Sequence, residues 1–219
     1  MLVKEAREIV GGVSVVSKMP KESNSYGLSA HLCNVGGKLV LVPGSVCANC
    51  YALEGQYEMG NVIDAHARRE QAILDPRWPS AMSTIVERKP FMRWFDSGDI
   101  RSLSHLIKIV AVAHMTPDTK HWLPTKEYGL LSKYERGGGK YPSNLVVRPS
   151  APMIDTFFKE SLGTSSGVMK NKPVPEGVYV CPAHLQDNKC GDCRACWDPK
   201  VTRTAYPWHS QKKENVLVI

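Results

Sequence analysis

Apolar residues along the middle of the chain follow two patterns, a helical spacing and short continuous runs. The two patterns take turns along the chain, which predicts helices alternating with strands. Leu103, Leu106, Ile107, Val110 and Ala113 follow a three- and four-residue spacing that places them on one face of a helix. Short apolar runs bounded by turn residues predict strands. The predicted helices cover 62–74, 80–88, 103–116 and 127–136, and the predicted strands cover 91–95, 121–123, 144–148 and 177–180.

This order of elements predicts an α/β fold with parallel strands joined by helical crossovers. The strands are too few for eight repeats, so we expect a partial parallel (β/α) barrel or an open sheet. A core of residues 1–160 is expected, with a C-terminal cysteine-rich extension, residues 161–219, packed on it. The stretch 160–175 is rich in Gly, Ser, Lys and Pro and is predicted to be a loop.

Polar turns follow three of the predicted strands. In parallel α/β folds, ligands bind at the carboxyl ends of the strands, so these turns supply the candidate ligand-binding residues. They are Asp96, Ser97, Asp99, Lys126 and Arg148. Each has a structural alternative: a helix cap for one of the aspartates, a surface position for the lysine, and a salt bridge for the arginine.

Composition narrows the class of protein. Apolar residues make up 42% and charged residues 22%, which is typical of a globular chain. No apolar run reaches 18 residues and no signal-peptide core is visible, so no membrane association and a cytoplasmic location are expected. The net charge of +7 fits either a solvated surface or an anionic partner. Aromatic and basic residues in the tail, YPWHSQKK, would suit nucleic acid or a docking contact.

The seven cysteines fall into two groups, with none between Cys50 and Cys181. An odd number in a reducing compartment argues against disulfides and favours metal. The C-terminal group is Cys181, Cys190, Cys193 and Cys196. Its C-x2-C-x2-C run is typical of a [4Fe–4S] cluster; four-cysteine zinc and free thiols are the alternatives.

The N-terminal group is Cys33, Cys47 and Cys50. Three cysteines would bind three irons of a cubane and leave the fourth open to a ligand. In the alternative, Cys33 is a core residue and the C-x2-C pair binds zinc or nothing.

The loop GSVCANCYAL resembles the cluster loop of the radical S-adenosylmethionine (SAM) superfamily, and the chain is most similar to a phage-encoded group of radical-SAM-like proteins. The strand before DSGD, the strand before PTKEYG and the ending CGDCRACW carry the rest of the likeness. The resemblance implies a partial barrel with a cluster at its mouth, held by Cys33, Cys47 and Cys50. SAM would bind the open iron, with Tyr51 near the adenine, and its reductive cleavage would give a 5′-deoxyadenosyl radical.

Three hypotheses follow. In the first, the chain is a phage-type iron–sulfur protein with one [4Fe–4S] cluster, or two, and performs SAM-dependent radical chemistry. In the second, it is a non-enzymatic iron–sulfur protein on the same scaffold. In the third, it is a zinc-stapled basic protein that binds nucleic acid. The first two need an electron donor, and for a phage protein the compartment is the host cytoplasm.

Overall fold

Two parallel sheets form the framework of the computed structural model, which describes residues 1–208. The strands are β1 (Ser23–Tyr26), β2 (Phe91–Trp94), β3 (Lys120–Thr125), β4 (Leu145–Pro149), β5 (Ser165–Met169), β6 (Tyr179–Val180) and β7 (Arg203–Pro207). The first sheet has the order β1-β2-β3-β4 and the second has the order β5-β7-β6, with every pairing parallel. The predicted α/β class with parallel strands is therefore confirmed.

Within the described residues, the first α-helix precedes β1, and the other five connect successive strands of the first sheet. The helices are α1 (Val3–Ile9), α2 (Asn34–Leu39), α3 (Gly60–Ala72), α4 (Trp78–Val86), α5 (Leu103–Met115) and α6 (Tyr128–Arg136). Side chains alternate between the two faces of a strand, so one alternate set of strand residues packs against these helices. Tyr26, Met92, Trp94 and Leu123 belong to this helix-side core.

The other alternate set of strand residues packs against the C-terminal segment. Phe91 and Trp122 form a second apolar cluster with Cys196 and Trp197. The ring of Trp197 lies 5.3 Å from both Phe91 and Trp122, and its Nε1 donates a hydrogen bond to the Met92 carbonyl at 2.9 Å. The cysteine-rich ending therefore covers the face of the sheet that the helices leave open.

An isolated parallel bridge joins the two sheets. Ser150, just after β4, pairs with Ser166 of β5, and the Ala151 N–H donates to the Ser166 carbonyl at 2.8 Å. The strands of both sheets therefore run in the same direction. Within residues 1–208 they do not close into a barrel.

Some predictions of local structure were wrong. The stretch 160–175 contains β5, which its Ser-Ser-Gly sequence did not indicate, because β5 owes its conformation to pairing with β7. Strand β1 was missed because its sequence, SNSY, is polar; all four residues are nonetheless buried, and Ser25 Oγ donates to Asp96 Oδ1 at 2.7 Å. In the predicted nucleic-acid tail, residues 209–213 lie outside the described residues.

No helix within the described part of the chain is both long and apolar enough to cross a membrane.

Candidate metal centres

The N-terminal thiol group (Cys33, Cys47 and Cys50) lies on short helical turns between β1 and α3. Cys33 directly precedes α2, Cys47 begins a one-turn 3-10 helix, and Cys50 directly follows it. A Cβ atom added to Gly36 would lie 3.7 Å from the Sγ atoms of both Cys33 and Cys47. Gly36 thus leaves open the space that these two thiols share.

The loop that carries Cys47 is fixed to the edge of the first sheet. Ser45 Oγ donates to the Leu39 carbonyl at 2.6 Å and accepts from the Ala48 N–H at 2.9 Å. The Val46 N–H donates to the Pro152 carbonyl at 2.9 Å, just beyond β4. These bonds bring the loop close to the carboxyl end of β4.

Charged side chains surround the N-terminal thiol group. Burial raises the pKa of Cys33 to about 12; Asp99 and Cys50 act in the same direction, whereas Arg101 lowers the pKa. Burial lowers the pKa of Lys126, and the thiols and Asp99 oppose that shift. The predicted ligand-binding residues Asp99 and Lys126 therefore lie within electrostatic reach of the predicted cluster ligands.

Arg101 anchors the segment before Cys33. Its guanidinium donates to both carboxylate oxygens of Glu70 and to the carbonyls of Ser29, at 2.6 Å, and Leu32, at 2.9 Å. It also lies within electrostatic reach of Cys33. An arginine in this position would stabilise the thiolate form that a metal requires.

Asp99 is held by donors from two strand ends. Its carboxylate accepts from Thr125 Oγ1 at 2.5 Å and from the N–H groups of Lys126 and Ile100, both at 2.8 Å. Burial nonetheless raises the pKa of Asp99 to about 6. The cap of α5 is Ser102, whose Oγ accepts from the His105 N–H at 3.1 Å, so the helix-cap alternative for the aspartates was wrong.

Tyr51, which follows Cys50 in the chain, is hydrogen-bonded to Asp96, whereas the neighbouring Ser97 bonds elsewhere. Tyr51 Oη donates to the Asp96 carbonyl at 2.5 Å, and the Asp96 carboxylate accepts from Ser25 at 2.7 Å and from Tyr57 at 3.4 Å. Ser97 Oγ donates to the Leu28 carbonyl at 2.8 Å. Contact of these three residues with a cofactor stays a prediction.

The C-terminal thiol group (Cys181, Cys190, Cys193 and Cys196) gathers between β6 and β7. The Cys181 N–H donates to the Ala205 carbonyl at 2.8 Å, and the Cys193 N–H donates to the Cys190 carbonyl at 3.0 Å. Gly191 adopts φ 51°, which favours glycine and lets the chain turn between Cys190 and Cys193. Burial raises the pKa of Cys190, and Cys181 and Cys193 raise it further, so these thiols lie near one another.

Two tyrosine hydroxyls contact this group directly. Tyr179 Oη lies 3.2 Å from Cys193 Sγ, and Tyr206 Oη lies 3.3 Å from Cys196 Sγ. Hydroxyl donors of this kind stabilise sulfur ligands that carry negative charge.

Arg148 holds the C-terminal cysteine loop to the first sheet. Its side chain is fully buried and donates to the carbonyls of Ala195 (2.9 Å), Cys196 (3.1 Å), Asp198 (2.9 Å) and Ser165 (3.4 Å). The salt bridge expected as the alternative is thus replaced by bonds to backbone carbonyls. Contact of Arg148 with an anion stays a prediction.

The donors around the C-terminal thiol group include two without acceptors. Arg93 Nε and Trp122 Nε1 are buried and make no hydrogen bond with the described residues. Unpaired N–H donors beside four thiols could donate hydrogen bonds to a bound group that carries anionic sulfur.

No three His, Cys, Asp or Glu side chains in residues 1–208 are arranged to hold a single metal ion. A cubane cluster has a different requirement, because each cysteine binds a different iron.

Sequence reasoning missed the supporting residues of both sites. Arg93, Arg101, Trp122, Tyr179 and Tyr206 were not selected. The one available signal was Arg93, a lone arginine in the otherwise apolar strand FMRWF.

The comparisons with known proteins bear on most of the chain. A family model described as Gene product 88 matches residues 11–199, a span that includes all seven cysteines. A search of curated proteins and a search of solved structures found no match.

Proposed function

The chain belongs to the gene product 88 family, and we propose that it is an iron–sulfur protein of bacteriophage type. The C-terminal thiol group would hold one [4Fe–4S] cluster through Cys181, Cys190, Cys193 and Cys196. The observation that carries this proposal is that the four thiols lie within electrostatic reach of one another, beside hydroxyl and N–H donors. The host cytoplasm, where thiols stay reduced, is the compartment we propose.

The N-terminal thiol group would hold a second cluster with one iron left open. It offers three thiols, Cys33, Cys47 and Cys50, and the half-buried Lys126 and the buried Asp99 lie beside them. The backbone N–H of Lys126 donates to Asp99. Its side-chain ammonium makes no hydrogen bond or ion pair with the residues the structure describes, so it is available to an anionic group. Tyr51, next to Cys50, contributes an aromatic surface beside the thiols.

On this basis we propose a radical-SAM-like partial barrel as the scaffold. The helices cover one face of the parallel sheet, and the N-terminal thiol group meets the strand ends at Asp99 and Lys126. When bound, SAM and the open cluster would supply one-electron reductive chemistry. The chain's own contribution would be to place Lys126 near the carboxylate of the ligand and Tyr51 near its ring.

The first test measures metal content. Full-length protein purified without oxygen is assayed for iron, acid-labile sulfide and zinc, and EPR spectra of the dithionite-reduced form are recorded with and without SAM. We expect about eight irons and eight sulfides per chain, in keeping with two cubanes, and an EPR signal that SAM changes.

Other results would lead to other functions. About four irons with no response to SAM would support a non-enzymatic iron–sulfur protein. Zinc without sulfide would overturn the proposal and favour a zinc-stapled protein, for which salt-dependent retention on nucleic acid is the next measurement.

A further inference from the structure

Two N–H donors on the face of the first sheet opposite the helices lack acceptors. Arg93 Nε and Trp122 Nε1 are both sealed from solvent and unpaired within the described residues. They belong to residues paired in register across β2 and β3, and the Arg93 guanidinium lies 4.7 Å from the centre of the Trp122 ring. A buried donor without an acceptor destabilises the fold, so two side by side point to an acceptor that binds there.

The C-terminal thiol group is the source of acceptors next to this pair. Trp122 packs in one apolar cluster with Cys196. The Trp122 ring centre lies 6.4 Å from that of Tyr206, whose hydroxyl contacts the Cys196 sulfur. Arg93 acts electrostatically on Cys190. Both orphaned donors therefore border the group that would hold the cluster.

The other neighbours of Arg93 do not satisfy it. Within residues 1–208 no carboxylate lies within ion-pair distance of its guanidinium. Its Nη1 contacts the Met19 sulfur at 3.9 Å, which is a weak interaction. Its Nε has no hydrogen-bond acceptor among the residues the structure describes.

We propose that Arg93 and Trp122 donate hydrogen bonds to sulfur atoms of the cluster held by the C-terminal thiol group, and that they make it a redox-active cluster. The inference rests on the proposed function. Hydrogen bonds to cluster sulfurs raise the reduction potential because they stabilise the added negative charge. The cluster would take one electron from an external one-electron donor and pass from the 2+ to the 1+ state, with no bond broken.

The test compares single-donor variants by their reduction potentials. The Cys47→Ala background limits the signal to the C-terminal group, and EPR-monitored titration with dithionite gives the midpoint potential of the full-length reconstituted protein. Trp122→Phe keeps the ring and removes its N–H. We expect a lower midpoint potential with unchanged iron and sulfide.

Trp94→Phe is the matched control. Trp94 Nε1 is also buried and unpaired, but Trp94 belongs to the helix-side core on the opposite face of β2. Removal of the Trp94 N–H should leave the midpoint potential of the C-terminal cluster unchanged. If Trp122→Phe and Trp94→Phe shift the potential equally, the effect is not local and the inference fails.

Arg93 provides an independent variant. Arg93→Met removes every donor and should lower the potential, whereas Arg93→Lys keeps the charge and should lower it less. If Trp122→Phe does not bind iron, the potentials of Arg93→Met and Arg93→Lys test the inference instead. An unchanged potential in Arg93→Met at full iron content would overturn the inference, while wild-type protein without iron and sulfide would instead overturn the proposed function.

Discussion

The two thiol groups differ in how the chain builds them. The C-terminal group has four thiols, lies against the sheet through Trp197, and is held by three hydrogen bonds from the buried Arg148. The N-terminal group has three thiols on short helical turns, with Lys126 and Asp99 beside it. A site with all its ligands from protein suits a structural or electron-carrying role, while one with fewer leaves a position for a substrate. If the proposed clusters are bound, this difference predicts that the two groups have different roles within one chain.

The largest effect is expected from Cys193→Ala. The C-terminal group links β6 to the segment that covers the first sheet. Loss of one ligand should therefore remove about half of the iron. It should also lower the melting temperature of the reconstituted protein, because ligation is coupled to folding. Iron analysis and thermal unfolding measure both effects. Asp192→Ala, an exposed neighbour, should change neither. Full iron content and an unchanged melting temperature in Cys193→Ala would refute the ligand assignment.

Arg148→Met tests whether the hydrogen bonds from Arg148 to the C-terminal cysteine loop stabilise the protein. The substitution leaves the carbonyls of Ala195, Cys196 and Asp198 without their donor, and each buried unpaired group costs roughly 1–3 kcal/mol. We expect about 3 kcal/mol or more of lost stability in urea unfolding. Arg136→Met, at an exposed position of α6, is the control. A loss as small as that of the control would mean that the loop holds itself in place.

The sequence indicated the two thiol groups better than their surroundings. Cysteine spacing identified both thiol groups, and helical periodicity identified α5, since both signals are local. The roles of Arg148 and Trp122 depend on residues some 50 to 75 positions away. Strand β1 was missed for the same reason, because Ser25 is satisfied by Asp96, 71 residues further along the chain. Partners at such distances leave no mark on local periodicity.

Cys47→Ala should separate the two sites. The N-terminal loop is held by Ser45 and by backbone bonds near Pro152, none of which involves the Cys47 side chain. We therefore expect the loss of about half of the iron with little change in the melting temperature. Asn49→Ala, exposed in the same turn, should retain all the iron. Should Cys47→Ala retain it too, the N-terminal group holds no cluster.

Gly36→Ala tests the space between two N-terminal thiols. The added Cβ would lie 3.1 Å from Cys33 Cβ and 3.7 Å from the Sγ atoms of Cys33 and Cys47. We expect a partial loss of the N-terminal iron and an unchanged C-terminal cluster, both measured by EPR and iron analysis. Gly37→Ala is closely matched, since its Cβ would meet nothing within 4 Å in the same helix. Equal iron content in the two variants would show that the cluster lies elsewhere.

The smallest expected effect concerns the buried carboxyl that borders the N-terminal group. Burial raises the pKa of Asp99 to about 6, above the unfolded value of about 3.9, so the folded state binds the proton more tightly. The tighter binding of this proton stabilises the folded protein. That stabilisation is fully present below the unfolded pKa and is lost as the pH rises through 6. In the apo-protein, the stability of wild type relative to Asp99→Asn should therefore increase on acidification between pH 6 and 4, by up to about 1.4 kcal/mol per pH unit. Urea unfolding of both proteins across this pH range measures the difference in their free energies of unfolding. Other titrating groups, such as His105 and His121, are present in both proteins, so their contributions cancel. A pH-independent difference would mean that the hydrogen bonds from Thr125 and Lys126 outweigh burial and keep the carboxylate ionised, so that the N-terminal site would hold a permanent negative charge beside its thiols.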